Sequence, residues 1–167
     1  MTAPTLDLDI DPVWGDATDW EALAHRAAAA AGQVAPELAH DHLLASLVLA
    51  DDAEVQTLNK QWRAKDRPTN VLSFPMLSRD EVLAAAAFAD SPGMLGDLIL
   101  AHGVCAREAE GKGIAIAAHA AHLIIHGLLH LAGYDHETGD AHATEMEALE
   151  TKALALMGLA DPYADFG

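Results

Sequence analysis

The spacing of apolar and polar residues along the chain predicts four β-strands. Residues 5–10, TLDLDI, alternate with the two-residue period of a half-exposed strand. The mainly apolar run LASLVLA at 44–50 predicts a buried strand. NVLSF at 70–74, ended by Pro75, and LGDLILA at 95–101 predict two more.

Five further segments have helical spacing or helix-forming composition. They lie at about 17–31, from Asp51 to about 62, at 103–110, at 115–131 and at 140–157, and most end near a glycine. Segment 77–93 is ambiguous, because LAAAAFA favours a helix and the following Ser-Pro-Gly favours a loop. The order of elements predicts an α/β (α+β) protein: one domain, 1–167, with a small mixed sheet of about four strands flanked by helices.

The net charge of -17 indicates an acidic, self-repelling surface. Such a surface does not favour nucleic-acid binding, because phosphate contacts dominate that affinity. The few basic residues are unevenly distributed, however, and four of them fall within eight positions: Lys60, Arg63, Lys65 and Arg67. A local basic patch is therefore predicted on an acidic protein.

The sequence has none of the features of a secreted or membrane protein. The first residues lack the basic and apolar regions of a signal peptide, and the longest apolar run, 114–132, contains four histidines. The single cysteine, Cys105, cannot form an internal disulfide, which fits a reducing compartment. We therefore expect a cytoplasmic protein that does not associate with membranes.

The segment HLIIHGLLHLAGYDH at 122–136 has the spacing of a metal site. On a helix, His126 and His130 lie one turn apart and about 40° apart around the axis, so both imidazoles can reach one ion. Gly133 can end the helix, after which His136 can approach the ion from the other side. Three histidines and one open position are typical of catalytic zinc, and we predict one zinc ion per chain.

Two neighbouring residues are candidates for supporting this site. Asp135 adjoins a predicted ligand and could orient an imidazole, although a role in capping the turn is equally compatible with its position. His122, like His119, lies near the same helix face and is assigned to packing or to supporting the ligands.

The histidine spacing alone does not decide which bond a zinc enzyme of this kind would hydrolyse. The pattern H-x3-H-x2-G-x2-H also occurs in metzincin proteases, which have a general-base glutamate directly after the first histidine. Here that position is Gly127, so a protease would need another carboxylate. A further possibility is a non-catalytic protein that binds zinc through the same histidines for stability.

Three sequence blocks resemble the bacterial YbeY family. They are LNKQWRAKDRPTNVLSFP at 58–75, LGDLIL at 95–100 and HGLLHLAGYDH at 126–136; Asn70 stands where many members have Asp. The resemblance implies a single-strand-specific endoribonuclease that matures ribosomal RNA and acts in ribosome quality control. Its partners would be RNA and the small ribosomal subunit or its assembly factors.

The resemblance also assigns roles to individual residues. It implies that His126, His130 and His136 bind zinc and that Arg63 is the functional arginine. A guanidinium can contact two phosphate oxygens at once, which suits a role for Arg63 at the reacting phosphate. The other basic residues of the cluster, Lys60, Lys65 and Arg67, are expected to contact the RNA backbone.

Overall fold

The computed structural model of the protein describes residues 3–89, 92–134 and 139–163, and a four-stranded sheet forms its centre. The strands are β1 (Thr5–Ile10), β2 (Leu43–Ala50), β3 (Val71–Pro75) and β4 (Gly93–Ala101). Their spatial order is β1–β2–β4–β3; β1, β2 and β4 are parallel, and β3 is antiparallel to β4. The predicted mixed sheet of four strands is confirmed.

Six α-helices flank the sheet, and five of them were predicted. They are α1 (Trp20–Val34), α2 (Asp52–Arg63), α3 (Arg79–Ala87), α4 (His102–Lys112), α5 (Ile116–Leu131) and α6 (Asp140–Leu156). Helix α3 falls in the ambiguous segment. It begins at a capping box, in which Ser78 and Glu81 accept hydrogen bonds from each other's backbone N–H.

The predicted bounds of α1 were wrong at both ends. The helix begins at Trp20 because the side chain of Asp19 accepts a hydrogen bond from the backbone N–H of Ala22. It continues past Gly32 to Val34, both of which are buried. The packing of this last turn outweighs the low helix propensity of glycine.

The larger core lies between one face of the sheet and helices α1, α5 and α6. Side chains alternate along β2, so Leu47 and Leu49 enter this core while Val48 faces the other side. Helix α5 crosses this core, and its large apolar residues from Leu123 to Leu131 are almost fully enclosed. Its continuous apolar sequence therefore reflects burial on nearly all sides.

A smaller cluster lies on the opposite face, where Val55 of α2 packs against Leu72, Ile99 and Ala101. At the end of α2, Ala64 adopts a left-handed conformation and its N–H bonds back to the helix. The buried amide of Asn59 donates to the carbonyl of Arg67 at 2.8 Å. These bonds fix the chain on both sides of Arg63.

Among the described residues, no single helix is long and apolar enough to cross a membrane. Helices α4 and α5 taken together are long and apolar enough by length and composition only, and they are bent by 114° at their junction.

We expect Cys105 to react slowly in the folded protein. It is fully buried, and this burial, together with the nearby charge of Glu108, raises the pKa of its thiol to about 12. The reactive thiolate is therefore scarce at neutral pH. Alkylation by iodoacetamide at pH 8 should be roughly a hundredfold or more slower in native protein than in urea-unfolded protein. Similar rates in both states would contradict the buried position.

Candidate active site

Helix α5 directs two histidines into an open cleft. His126 and His130 are half-buried, whereas every other residue between Ala121 and Leu131 is buried. The centroids of the two imidazoles are 4.7 Å apart and their planes are inclined by 79°. The one-turn spacing thus places both imidazoles side by side on the same face of the helix, as the sequence predicts.

Gly127, between these histidines, faces the sheet rather than the cleft. A Cβ added there would lie 2.6 Å from Cδ2 of Leu98 and 3.0 Å from its Cδ1. The helix therefore packs so closely on β4 that a side chain at this position would require Leu98 to move. The position that holds the metzincin general base is used here for backbone packing.

The cleft has a volume of about 860 Å³ and is enclosed by four elements. The end of α2, the strand β3 with the residues before it, the start of α3 and the end of α5 form its walls. Its described lining residues are Trp62, Arg63, Thr69, Asn70, Val71, Ser73, Phe74, Pro75, Leu77, Ser78, Arg79, His126, His130, Gly133 and Tyr134. None of these described residues is acidic, although the chain has 26 Asp and Glu residues.

Arg63 is the predicted site residue that meets the histidine pair in this cleft. Its side chain is exposed, and the described residues include no ion-pair partner for it. Lys60 lies on another side of α2, where its Nζ is 3.8 Å from Asp66. Lys65 and Arg67 are exposed on the following loop and do not line the cleft. The RNA-binding roles of these three residues stay predictions.

A buried carboxylate supports the histidines from behind. Oε1 of Glu150 in α6 lies 3.1 Å from Nδ1 of His126 and 2.6 Å from Nε2 of His122. Burial alone would raise the pKa of Glu150, but the hydrogen bonds from His122 and His126 outweigh it and lower the pKa to about 2. The ionised carboxylate accepts Nδ1–H of His126 and so favours the tautomer whose Nε2 carries a lone pair.

Glu150 was missed by the sequence analysis, although its spacing gives a signal. It lies on the buried face of α6 with Met146, Ala153 and Leu154, and it is only 1% exposed. A lone acid on the apolar face of a helix indicates a buried partner of opposite charge or a hydrogen-bond donor. His122, predicted to pack or to support the ligands, is joined to His126 through this carboxylate.

A second network fixes the cleft wall at Asn70. Its Nδ2 donates to Oε1 of Glu108 at 3.0 Å, and Nε2 of the buried His119 lies 2.8 Å from the same oxygen. An aspartate at position 70 would place two carboxylates in contact. The amide of Asn70, where many YbeY proteins have Asp, therefore donates a hydrogen bond to Glu108 that an aspartate could not donate.

A third network anchors the end of α5. Arg79 donates to the carbonyl of Ala132 at 2.9 Å, forms an ion pair with the buried Glu37 at 2.6 Å, and lies over the ring of Tyr134 at 4.6 Å. Gly133 has a φ of +99° and contacts Arg79 closely. The charge of Arg79 is thus offset by Glu37, which leaves Arg63 as the exposed guanidinium of the described cleft.

The two histidines that line the described cleft are donors of the type that zinc uses. Two imidazoles at this separation can reach one ion, and neutral nitrogen ligands suit zinc. Two of the predicted residues, Asp135 and the third ligand His136, lie outside the described residues. Within the described part of the chain, no group of three or more His, Cys, Asp or Glu residues could hold a metal.

Comparison with known proteins supports the fold and shows the family. A solution structure from Thermotoga maritima has the same fold, with a TM-score of 0.57 at 21% identity, covering 97% of this chain and 99% of the other. The model of the family described as Endoribonuclease YbeY matches residues 13–158. The chain therefore belongs to the YbeY family of endoribonucleases, as the sequence blocks predicted.

Two curated relatives support this assignment over nearly their whole length. The protein named Endoribonuclease YbeY from Novosphingobium aromaticivorans is 73% identical over 164 residues, covering 98% of both chains. Its namesake from Erythrobacter litoralis is 54% identical over 160 residues, covering 96% of this chain and 98% of the relative.

We expect Gly127→Ala to destabilise the protein by about 1–3 kcal/mol, because the added methyl group overlaps Leu98 in a packed core. This cost should exceed the gain in helix propensity of about 1 kcal/mol from replacing glycine. Urea unfolding of the two single variants and of the Gly127→Ala/Leu98→Ala double variant measures the coupling. If the cost of Gly127→Ala is the same in both backgrounds, the contact does not set the position of α5.

Proposed function

We propose that this protein is a zinc-dependent, single-strand-specific endoribonuclease that matures ribosomal RNA and contributes to ribosome quality control in the cytoplasm. Family membership supports RNA cleavage as the reaction. The observation that supports the proposed chemistry is the cleft, which is lined by a histidine pair and an exposed arginine and whose described walls contain no acid.

The charge distribution favours an anionic substrate. The whole chain has a net charge of -17, yet the exposed guanidinium of Arg63 lines the cleft at the end of α2, and the charge of the second lining arginine, Arg79, is paired with Glu37. Glu37 and Glu150, two described acids that contact cleft residues, have side chains only 8% and 1% exposed and are paired with Arg79 and His126. A phosphodiester can therefore enter without facing a carboxylate of the described walls.

Arg63 would bind the reacting phosphate. Its guanidinium stays protonated at any physiological pH and can donate two parallel hydrogen bonds to phosphate oxygens. The bonds at Ala64 and Asn59 fix the backbone that presents it. The arginine can then stabilise negative charge that increases on the phosphate during cleavage.

The histidines would hold one zinc ion per chain, with His136 as the predicted third ligand beside His126 and His130. A bound zinc ion with an open position supplies Lewis acidity and lowers the pKa of water to about 7. Glu150 orients His126, and it keeps the lone pair of this imidazole on Nε2.

The proposed partners follow from the family resemblance. They are single-stranded ribosomal RNA and the small ribosomal subunit or its assembly factors. The local basic patch on an acidic chain fits weak binding to free RNA and stronger binding where a ribosomal partner contributes contacts.

The two alternatives make different demands on the site. A metzincin-like protease needs a general-base carboxylate near the metal, and the described lining residues supply none. A zinc-stabilised assembly factor without catalysis would bind ribosomal subunits but would not cleave RNA. Incubation with defined single-stranded RNA and with unfolded polypeptide, each followed by product analysis, separates the three functions.

We expect one zinc ion per purified chain and its loss in His130→Ala, because two ligands hold the ion less tightly than three. Glu150→Gln should retain zinc but bind it about 10–100-fold more weakly. A neutral amide is a weaker acceptor than the carboxylate and orients the His126 imidazole less firmly. Metal analysis and competition with a chromogenic chelator measure both effects.

His25→Ala provides the matched control, because His25 is exposed on α1 and outside the cleft. Its zinc content should equal that of the wild type. Full zinc occupancy in His130→Ala would reject the proposed ligands.

We expect Arg63→Ala to reduce RNA cleavage by at least a hundredfold, on the order of the loss seen when one transition-state donor is removed. Arg63→Lys should restore little activity, because a point charge cannot make the paired hydrogen bonds. Zinc content and urea stability should stay unchanged, since Arg63 is exposed. The matched control is Arg26→Ala, which removes an exposed arginine from α1. Equal cleavage by Arg63→Ala and Arg26→Ala would exclude a catalytic role for Arg63.

A further inference from the structure

Trp62 is a large aromatic residue in an unusual position. It is 66% exposed, whereas Trp14 and Trp20 are each 5% exposed and belong to the core. It lies in the last turn of α2, directly before Arg63, and both residues line the cleft that contains the histidine pair. Its exposure therefore occurs where the proposed substrate would bind.

Phe74 of β3 supports the ring of Trp62 from one side. The two ring centroids are 6.5 Å apart and the planes are inclined by 65°, so the rings are not stacked face to face. Together they separate the cleft from a smaller, mainly apolar groove of about 340 Å³. With two thirds of its surface open, Trp62 can still accept a planar group against a ring face.

We propose that Trp62, supported by Phe74, is a stacking site for an unpaired base adjacent to the phosphate held by Arg63. The inference rests on the proposed function and identifies a source of its single-strand preference. Aromatic side chains stack on bases of any sequence, and each such contact contributes roughly 5- to 150-fold in affinity.

The charge of the surroundings favours a nucleotide over other planar ligands. A nucleotide carries a phosphate next to its base, and here an exposed guanidinium adjoins the exposed indole in the sequence and shares its cleft. Bases in a duplex are stacked and paired with one another, so they cannot turn onto the indole without unpairing. Stacking at Trp62 therefore selects RNA whose bases are already unpaired.

Kinetics with a single-stranded RNA and with the same RNA annealed to its complement test this site. Trp62→Leu should raise KM for the single strand about tenfold or more and leave kcat within about twofold, because the base is held before and during the reaction. The preference for single strands should decrease by a similar factor. Trp62→Phe should retain most of the affinity, since it keeps an aromatic face.

Phe88→Leu is the matched control, because Phe88 is 68% exposed but does not line the cleft. Its kinetics should equal those of the wild type. Urea stability should be similar in all variants, since each replaces an exposed side chain.

Intrinsic fluorescence gives a second readout that does not depend on cleavage. Trp14 and Trp20 are buried, so quenching on addition of single-stranded RNA should come from Trp62 and should disappear in Trp62→Phe. A wild type that neither cleaves nor binds RNA would refute the proposed function. The stacking site alone would be overturned by two results together: the wild type cleaves RNA with no change in fluorescence, and Trp62→Leu has an unchanged KM. Normal RNA kinetics with lost binding to small ribosomal subunits would instead assign Trp62 to a protein interface and also overturn it.

Discussion

The position of α5 depends on how closely its backbone approaches β4. Gly127 allows this approach because a Cβ there would overlap the Leu98 side chain in its present position. Once the helix is seated, its apolar residues are enclosed and only His126 and His130 of its second half reach the cleft. The helix segment that packs on Leu98 through Gly127 is thus the one that carries both cleft histidines. Core packing and the histidine pair meet in the same turn of α5.

Three described acids contact residues of the cleft without lining it. Glu150 contacts His126, Glu37 pairs with Arg79, and Glu108 accepts from Asn70. Each carboxylate orients a cleft residue through a hydrogen bond without lining the cleft itself. A protein with a large negative charge can in this way keep a cleft whose described walls contain no acid, because the local arrangement of charges matters more at short range than their sum.

Features with a short sequence period could be predicted, and contacts between distant segments could not. The strands and the His126–His130 pair follow from periods of two and of about four residues. Glu150 is 24 residues from His126, and Arg79 is 53 residues from the carbonyl it binds, so no local pattern connects them. The end of α1 was wrong for a related reason, because the helix packs against α5 and α6, which lie far along the chain. Family blocks indicated Arg63, whereas exposure at Trp62 became visible only in three dimensions.

The placement of β1 has a consequence for association between molecules. As an outer strand of the sheet, it presents unpaired backbone groups that another strand could extend. Asp7 and Asp9 project from this strand as exposed side chains. Two molecules that approached through β1 would bring like charges together in adjacent rows, which opposes pairing. Asp7 and Asp9, whose alternation with apolar residues predicted the strand, thus also disfavour the pairing of β1 with a strand of another molecule.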